Sequence, residues 1–231
     1  MRKNGENEII RDARELLSGR FQGILATHSI ECEGYPLGSL LPYSIDRDGW
    51  PLILISHLAK HTRNLSRERR CSLTVAEQDL GDIQTTTRLS CLADAVQVGD
   101  IDFREADRHF RYFPASHEYY RELNFHFYRL KPVRFYCVAG FGAARWVGID
   151  RMEAKNPYTY DQEEALLADI NRQFGNRLKQ HLALQNDSGP IAVGVDATGL
   201  DLRQKARLLR LTLPTPAHTP EELQARLTDL L

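Results

Sequence analysis

Apolar residues Ile9, Ile10, Ala13, Leu16 and Leu17 recur at helical spacing across residues 8–18 and predict an amphipathic helix, which Gly19 ends. Strand-like segments follow. Residues 21–28 (FQGILATH) and 37–45 (LGSLLPYSI) predict two of them. Residues 52–56 (LILIS) are a short continuous apolar run, as in a strand buried on both sides. Asp48-Gly49 stands between apolar runs and predicts a hairpin turn. Residues 71–75 alternate, with Cys71, Leu73 and Val75 on one face. Residues 88–98 and 125–138 predict two long strands, the second with a bend or edge at Pro132 and read as the last of the series. Helical segments at 62–70, 102–113 and 117–123 interleave with them, the last two broken at Pro114. Six or seven antiparallel strands so spaced predict a closed barrel rather than a βαβ sheet.

The pattern changes near Asp150. Residues 151–160 are polar, carry Asn156-Pro157 and predict a linker. A strong helix follows over 161–184, with Ile170, Phe174, Leu178 and Leu182 as its buried stripe. Short strands are predicted at 191–195, 200–202 and 207–213. A closing helix opens with Thr219-Pro220-Glu221-Glu222, which supplies an N-cap, a first-turn proline and a third-position glutamate. The chain is therefore α+β: an antiparallel split barrel over 1–150, a linker over 151–160, and a helix–three strands–helix domain over 161–231.

Composition limits what these domains do. The chain has 231 residues, room enough for two cores. Its net charge of −1 argues against nucleic acid as a main partner. No apolar run approaches the ~18 residues of a membrane span. The opening MRKNGENEIIRDARE lacks the apolar core of a signal peptide, so a cytoplasmic location is expected. Cys32, Cys71, Cys91 and Cys137 form no Cys-x-x-Cys pair, and the last three lie in strand-like sequence, so they are expected reduced and buried.

The sharpest chemical signal is Ser56-His57-Leu58-Ala59-Lys60-His61-Thr62-Arg63-Asn64-Leu65, which runs from a strand into a helix. Free backbone N–H groups at a helix start favour an anion. Ser56 and Thr62 add hydroxyls, and Lys60 and Arg63 add charge. The competing reading is that Thr62 caps the helix and the arginines form a solvated face. No nucleophile elbow is present. Gly140-Phe141-Gly142 is too short for a dinucleotide fingerprint and marks either a close backbone approach at a strand end or a ligand contact. The aromatic residues between Phe110 and Tyr128 are expected in the core and at a dimer contact.

The Ser-x-Leu-Ala-x-His-Thr-x-Asn-Leu segment resembles the HugZ-like haem-utilisation branch of the pyridoxamine 5'-phosphate oxidase-type split barrels. Further matches are Ala139-Gly-Phe-Gly142-Ala-Ala-Arg145-Trp146, Gly194-Val-Asp-Ala-Thr-Gly-Leu-Asp-Leu202, and Leu211-Thr-Leu-Pro-Thr-Pro216. The resemblance implies a homodimer with ligand clefts at the barrel interface. In flavin-binding relatives the strand-to-helix segment holds the flavin phosphate, which implies FMN contacts from Ser56, Lys60, His61 and Asn64, with Arg88 facing the same anion. In haem-handling relatives it implies haem there, with Arg88, Lys60 or Arg145 near the propionates.

Two departures bear on the choice. Flavin oxidases grip the phosphate with an Arg and a Lys on an early strand; the matching stretch here is Gly38-Ser39-Leu40-Leu41-Pro42. Each missing charge-assisted contact is worth ~1.5–3 kcal/mol. The relatives' Met-Asn-x-Asp-His motif is matched by Ile170-Asn171-Arg172-Gln173-Phe174, without its acid or histidine. A haem iron needs an axial ligand, most often neutral histidine. The resemblance places that ligand in C-terminal sequence, which selects His181 and His218 as metal-ligand candidates from the eight histidines.

The leading expectation is a haem-binding protein of iron utilisation, with oxidative opening of the porphyrin as its reaction. The alternatives are an FMN-dependent oxidoreductase and a non-enzymatic haem-sensing or regulatory protein.

Overall fold

The computed structural model describes residues 2–77, 84, 86–139, 144–182 and 189–231, with side chains from residue 7 onward. It contains two compact units: Met1–Ile101 with Ala115–Ala154, and Asp102–Pro114 with Lys155–Leu231. The change near Asp150 is thus one of three crossings of the chain between units. Residues 102–114, expected within the barrel, belong to the second unit. The boundary between the units falls within the expected linker, at Ala154/Lys155, with Met152 buried in the first core and Tyr158 in the second.

In the first unit, α1 (Arg2–Gly19) turns Ile9, Ile10, Ala13, Leu16 and Leu17 into the core. Strands β1 (Gln22–His28), β2 (Pro36–Pro42), β3 (Ser44–Ile45) and β4 (Pro51–Ser56) follow. The chain continues through α2 (Lys60–Arg67), β5 (Arg70–Ala76) and β6 (Arg88–Gln97). It leaves for α3 (Phe103–Tyr112) of the second unit and returns as α4 (Ser116–Glu122), β7 (Phe125–Val138), β8 (Ala144–Val147) and α5 (Ile149–Met152).

The strands pair antiparallel in the order β2-β1-β5-β6-β7-β4-β3. The two ends of that order are neighbours in sequence, joined at Tyr43, so the sheet curls on itself as a split barrel. Tyr43 is fully buried and its hydroxyl donates to the Leu17 carbonyl at 2.7 Å. This explains why the strand expected over 37–45 is divided: Pro42 has no N–H for a ladder, and Tyr43 serves the core.

One side of β7 is shared. Its first five residues pair with β4 and its last four with β8. Pro132 lies in the gap, where the β6–β7 register shifts and leaves Val133 as the bulged residue. Strand β8 was not foreseen; four residues, only one of them buried, give too short a period to read. The Asp48-Gly49 turn forms as expected. Gly49 has φ +89°, and the Asp46 carboxylate accepts from the Asp48 and Trp50 amides and from Arg129 Nε.

In the second unit, α6 (Tyr160–His181) begins with a Thr159–Gln162 capping box. Strands β9 (Ile191–Asp196), β10 (Gly199–Gln204) and β11 (Arg207–Thr212) form a sheet in the order β11-β10-β9. In α7 (Pro220–Leu230), Thr219 caps the Glu222 amide as the sequence predicts. Asn171 holds α6 to β9, donating to the Ala192 carbonyl and accepting from its amide. A buried polar chain ties in α3: Glu163 to Arg108, Arg108 to Tyr112, Tyr112 to Asp201, and Asp201 through Arg210 to Asp196.

Cys71, Cys91 and Cys137 are buried free thiols, as expected, and Cys32 is exposed. Burial pushes Cys71 up to about 12 and Cys137 up to about 11. Among the described residues no helix is long and apolar enough to cross a membrane.

Candidate functional site

The strand-to-helix segment lies at the end of β4. Ser56 pairs with Phe125 at the start of β7, and α2 begins four residues later with Ala59 as its N-cap. Thr62 does not cap the helix; its buried hydroxyl donates to the Ser56 carbonyl at 2.6 Å. The Ser56 hydroxyl accepts from the Leu58 amide. Asn64 is buried and stitches the segment to β1: its oxygen accepts from the Ile30 amide at 3.1 Å and its nitrogen donates to Thr27 Oγ1 at 2.9 Å. Lys60 pairs with Glu31 at 2.6 Å, and that pairing holds Glu31 below the usual carboxylate range. His61 is half-buried, and burial lowers its pKa, favouring the neutral ring. The structure therefore gathers Ser56, Lys60, His61 and Asn64, but commits three of them to internal bonds.

Arg88 does not face this segment within one chain. It pairs with Val138, whereas Ser56 pairs with Phe125, so the two stand at opposite ends of the 14-residue β7. At ~3.3 Å per residue the separation is about 40 Å along the strand. Arg145 pairs with Cys137, a core-facing residue, and so lies on the face opposite Arg88. It lines a cavity of about 60 Å³ with Ile9, Ile10, Trp146 and Arg151. Ligand pockets typically span ~300–1,000 Å³, so this cavity encloses neither a flavin nor a porphyrin by itself. His181 ends α6 and His218 precedes α7, both exposed in the second unit. The Gly140-Phe141-Gly142 segment and Thr85 lie outside the described residues.

The face that carries Arg88 is more informative. Antiparallel registers align Leu40, Ile24, Thr74, Ser90, Tyr136 and Trp146 in one row across β2, β1, β5, β6, β7 and β8. Alternation turns this row away from the core residues Leu25, Leu73, Leu89 and Cys137. One flanking row is Gly38, Ala26, Ser72, Leu92 and Arg134; the other contains Ala76, Arg88, Val138 and Ala144. Small residues occupy the middle. At the margins Leu40 is 72% exposed, Ile24 51% and Trp146 50%. The charged members of the three rows are Arg88 and Arg134, both cationic.

Trp146 is the centre of a side-chain cluster. The Arg134 guanidinium lies 5.0 Å from its ring centroid, and the Tyr136 ring lies 5.0 Å away at 51°. Sequence reasoning named Arg88 but missed Arg134 and Tyr136. Both alternate correctly within β7; the missing signal was β8, whose pairing gives them Trp146 as a neighbour.

Comparison with known proteins agrees with this architecture. The sequence model described as "CREG, beta-barrel" matches residues 5–159. A chloroplastic heme oxygenase of Arabidopsis thaliana, HOZ, is 37% identical over 93 residues, covering 40% of this chain and 28% of that protein. The chain thus spans under a third of that relative's length. A protein of unknown function from Agrobacterium tumefaciens has a similar fold over 96% of this chain and 95% of its own, with TM-score 0.80 and 22% identity. A heme-binding protein from Mycobacterium smegmatis matches over the same shares with TM-score 0.58 and 22% identity. The curled sheet closed at Tyr43, the forked β7 and the match over residues 5–159 lead to one assignment: the chain belongs to the CREG β-barrel family, within the FMN-binding split barrels.

Proposed function

We propose that the chain binds haem in haem utilisation, as a homodimer, with the ligand held against the outward face of the barrel sheet. The observation that carries this is the chemistry of three adjacent rows of that face, small and apolar residues with Arg88 and Arg134 as their charges; the following row brings Arg70 and Asp94. Haem is a broad apolar plate with two carboxylates, and such a face suits both parts. The flavin site is less well supported. Lys60 is already paired with Glu31, and β2 offers Gly38, Leu40 and Pro42 where flavin relatives carry cations. The relative named as a heme oxygenase favours the same choice.

The exposed apolar margin at Ile24 and Leu40 favours a second copy as its cover. That copy would enclose a ligand lying on the same outward face. His181 and His218 are the proposed axial ligands, each needing a neutral imidazole. Bound haem would supply the iron and oxygen chemistry; the protein's part is to hold the propionates, order the plate and exclude water. The unpaired state of all four cysteines supports a reducing, cytoplasmic setting.

The test is a haemin titration of purified protein, then absorbance after adding ascorbate in air. A saturable Soret band that decays to a bile-pigment spectrum identifies a haem-degrading enzyme, and His181→Ala and His218→Ala then locate the ligand. A stable band identifies a carrier or sensor. Absence of a band overturns the haem reading and leaves FMN at Ser56, Lys60, His61 and Asn64, seen as a yellow protein that releases flavin on denaturation.

A further inference from the structure

We infer that Trp146, backed by Arg134 and Tyr136, is a stacking platform that takes the flat face of a planar, conjugated, anionic ring. The inference rests on the ligand lying against the outward face, and it names the residue that recognises the ring. A tryptophan half-exposed on a regular strand has an unused face, since the indole offers a large apolar area that water solvates poorly. Here the indole is also held. Arg134 lies over it at 5.0 Å and Tyr136 meets it at 5.0 Å. Its strand is paired to β7 along its whole length, so the ring's place is set by the sheet.

The surroundings select the ligand class. Beyond Tyr136 on β7, which meets the indole at its edge of the row, Ser90 and Thr74 continue across β6 and β5 without bulk and leave room for a plate. Arg88 and Arg134 stand on either side of that row, two strand positions away, and favour carboxylates or a phosphate at the plate's edge. A neutral aliphatic ligand would gain nothing from the guanidinium–indole pair. A flexible anion would gain nothing from the flat row. The shared chemistry fits a carboxylated porphyrin or a flavin nucleotide, and these are the two sources to separate.

The experiment titrates the full-length protein with haemin and, separately, with FMN. It follows absorbance and induced circular dichroism in the ligand bands, for wild type, Trp146→Phe, Trp146→Leu and Trp146→Ala. Trp146 is exposed, so the variants should keep the wild-type far-ultraviolet spectrum; Trp146→Phe remains informative if the smaller replacements fail to fold. Stacking predicts wild-type affinity within about twofold for Trp146→Phe and a roughly three- to tenfold loss for Trp146→Leu and Trp146→Ala. This pattern with haemin supports both the platform and the haem reading. The same pattern with FMN and no haemin binding supports the platform and overturns the haem reading. Equal haemin affinity in wild type, Trp146→Leu and Trp146→Ala overturns the platform and leaves the haem reading standing. Binding of neither ligand overturns both. Conversion of a wild-type dimer to monomer by Trp146→Ala, read by sedimentation, makes Trp146 a subunit contact and overturns the platform.

Discussion

Tyr112 reaches Asp201 by passing directly over Gly194, and no other residue fits beneath it. A Cβ at Gly194 would lie 1.7 Å from the Tyr112 hydroxyl oxygen. That hydroxyl donates to Asp201 at 2.6 Å, deep inside the second unit. Gly194→Ala should therefore lose the hydrogen bond and strain the packing together, costing about 2–4 kcal/mol in urea unfolding. His109, beside Tyr112's helix neighbours, carries a different signature. Burial first, and the Arg108 charge second, push its pKa down to about 3. The unfolded chain binds a proton near pH ~6.5 that the folded state refuses. Stability is thus complete above that pH and falls as pH drops towards 3, with a slope approaching ~1.4 kcal/mol per pH unit. Unfolding measured between pH 7.5 and 4.5 should show this slope in wild type and its loss in His109→Gln. Gly194 was legible as part of a motif; its reason was not, because the residue that needs it lies 82 positions earlier in the sequence.

At the scale of elements, α3 shows what periodicity conveys and what it omits. Its extent, 102–113 broken at Pro114, was legible in the sequence, and the structure adds Asp102 as the cap of the Arg104 amide. Its address was not, since a helical stripe says that a face is buried but not against what. The answer lies in polar residues: Arg108 is buried and holds Glu163 of α6 at 3.0 Å. Removing one member of a buried pair leaves an uncompensated charge, typically ~3–5 kcal/mol. Arg108→Ala should lose about that much, tempered by Arg111, which also reaches Glu163 at 3.4 Å. The double variant Arg108→Met with Glu163→Leu should recover most of the loss, a comparison that thermal unfolding can make. Strand β8 is the converse case. Its four residues carried no readable period, and only pairing with β7 defines it.

At the scale of the molecule, the strand series was legible because most barrel strands alternate or run apolar for five or more residues. The curled closure followed from their antiparallel spacing. The candidate site was legible in part. The helix-start segment announced itself by motif, whereas the outward face is assembled from six strands and has no signature along the chain. Its exposed apolar margin gives a test of assembly. Ile24→Asp and Leu40→Asp alter residues that contribute little to the monomer's core. Each should leave the far-ultraviolet spectrum unchanged and convert a dimer to monomer in sedimentation.

The three crossings between units also govern how the protein is made. Helix α3 leaves the ribosome early, yet its partner strands β9 and β10 end at Gln204. At ~5–20 residues per second, α3 waits roughly 5–20 s for them. During that interval the barrel on both sides of it can begin to fold, while its own apolar and charged face has nowhere to go. The nascent chain is therefore expected to be most open to proteolysis and aggregation before Gln204 has emerged, which limited proteolysis of stalled chains ending before and after β10 would show.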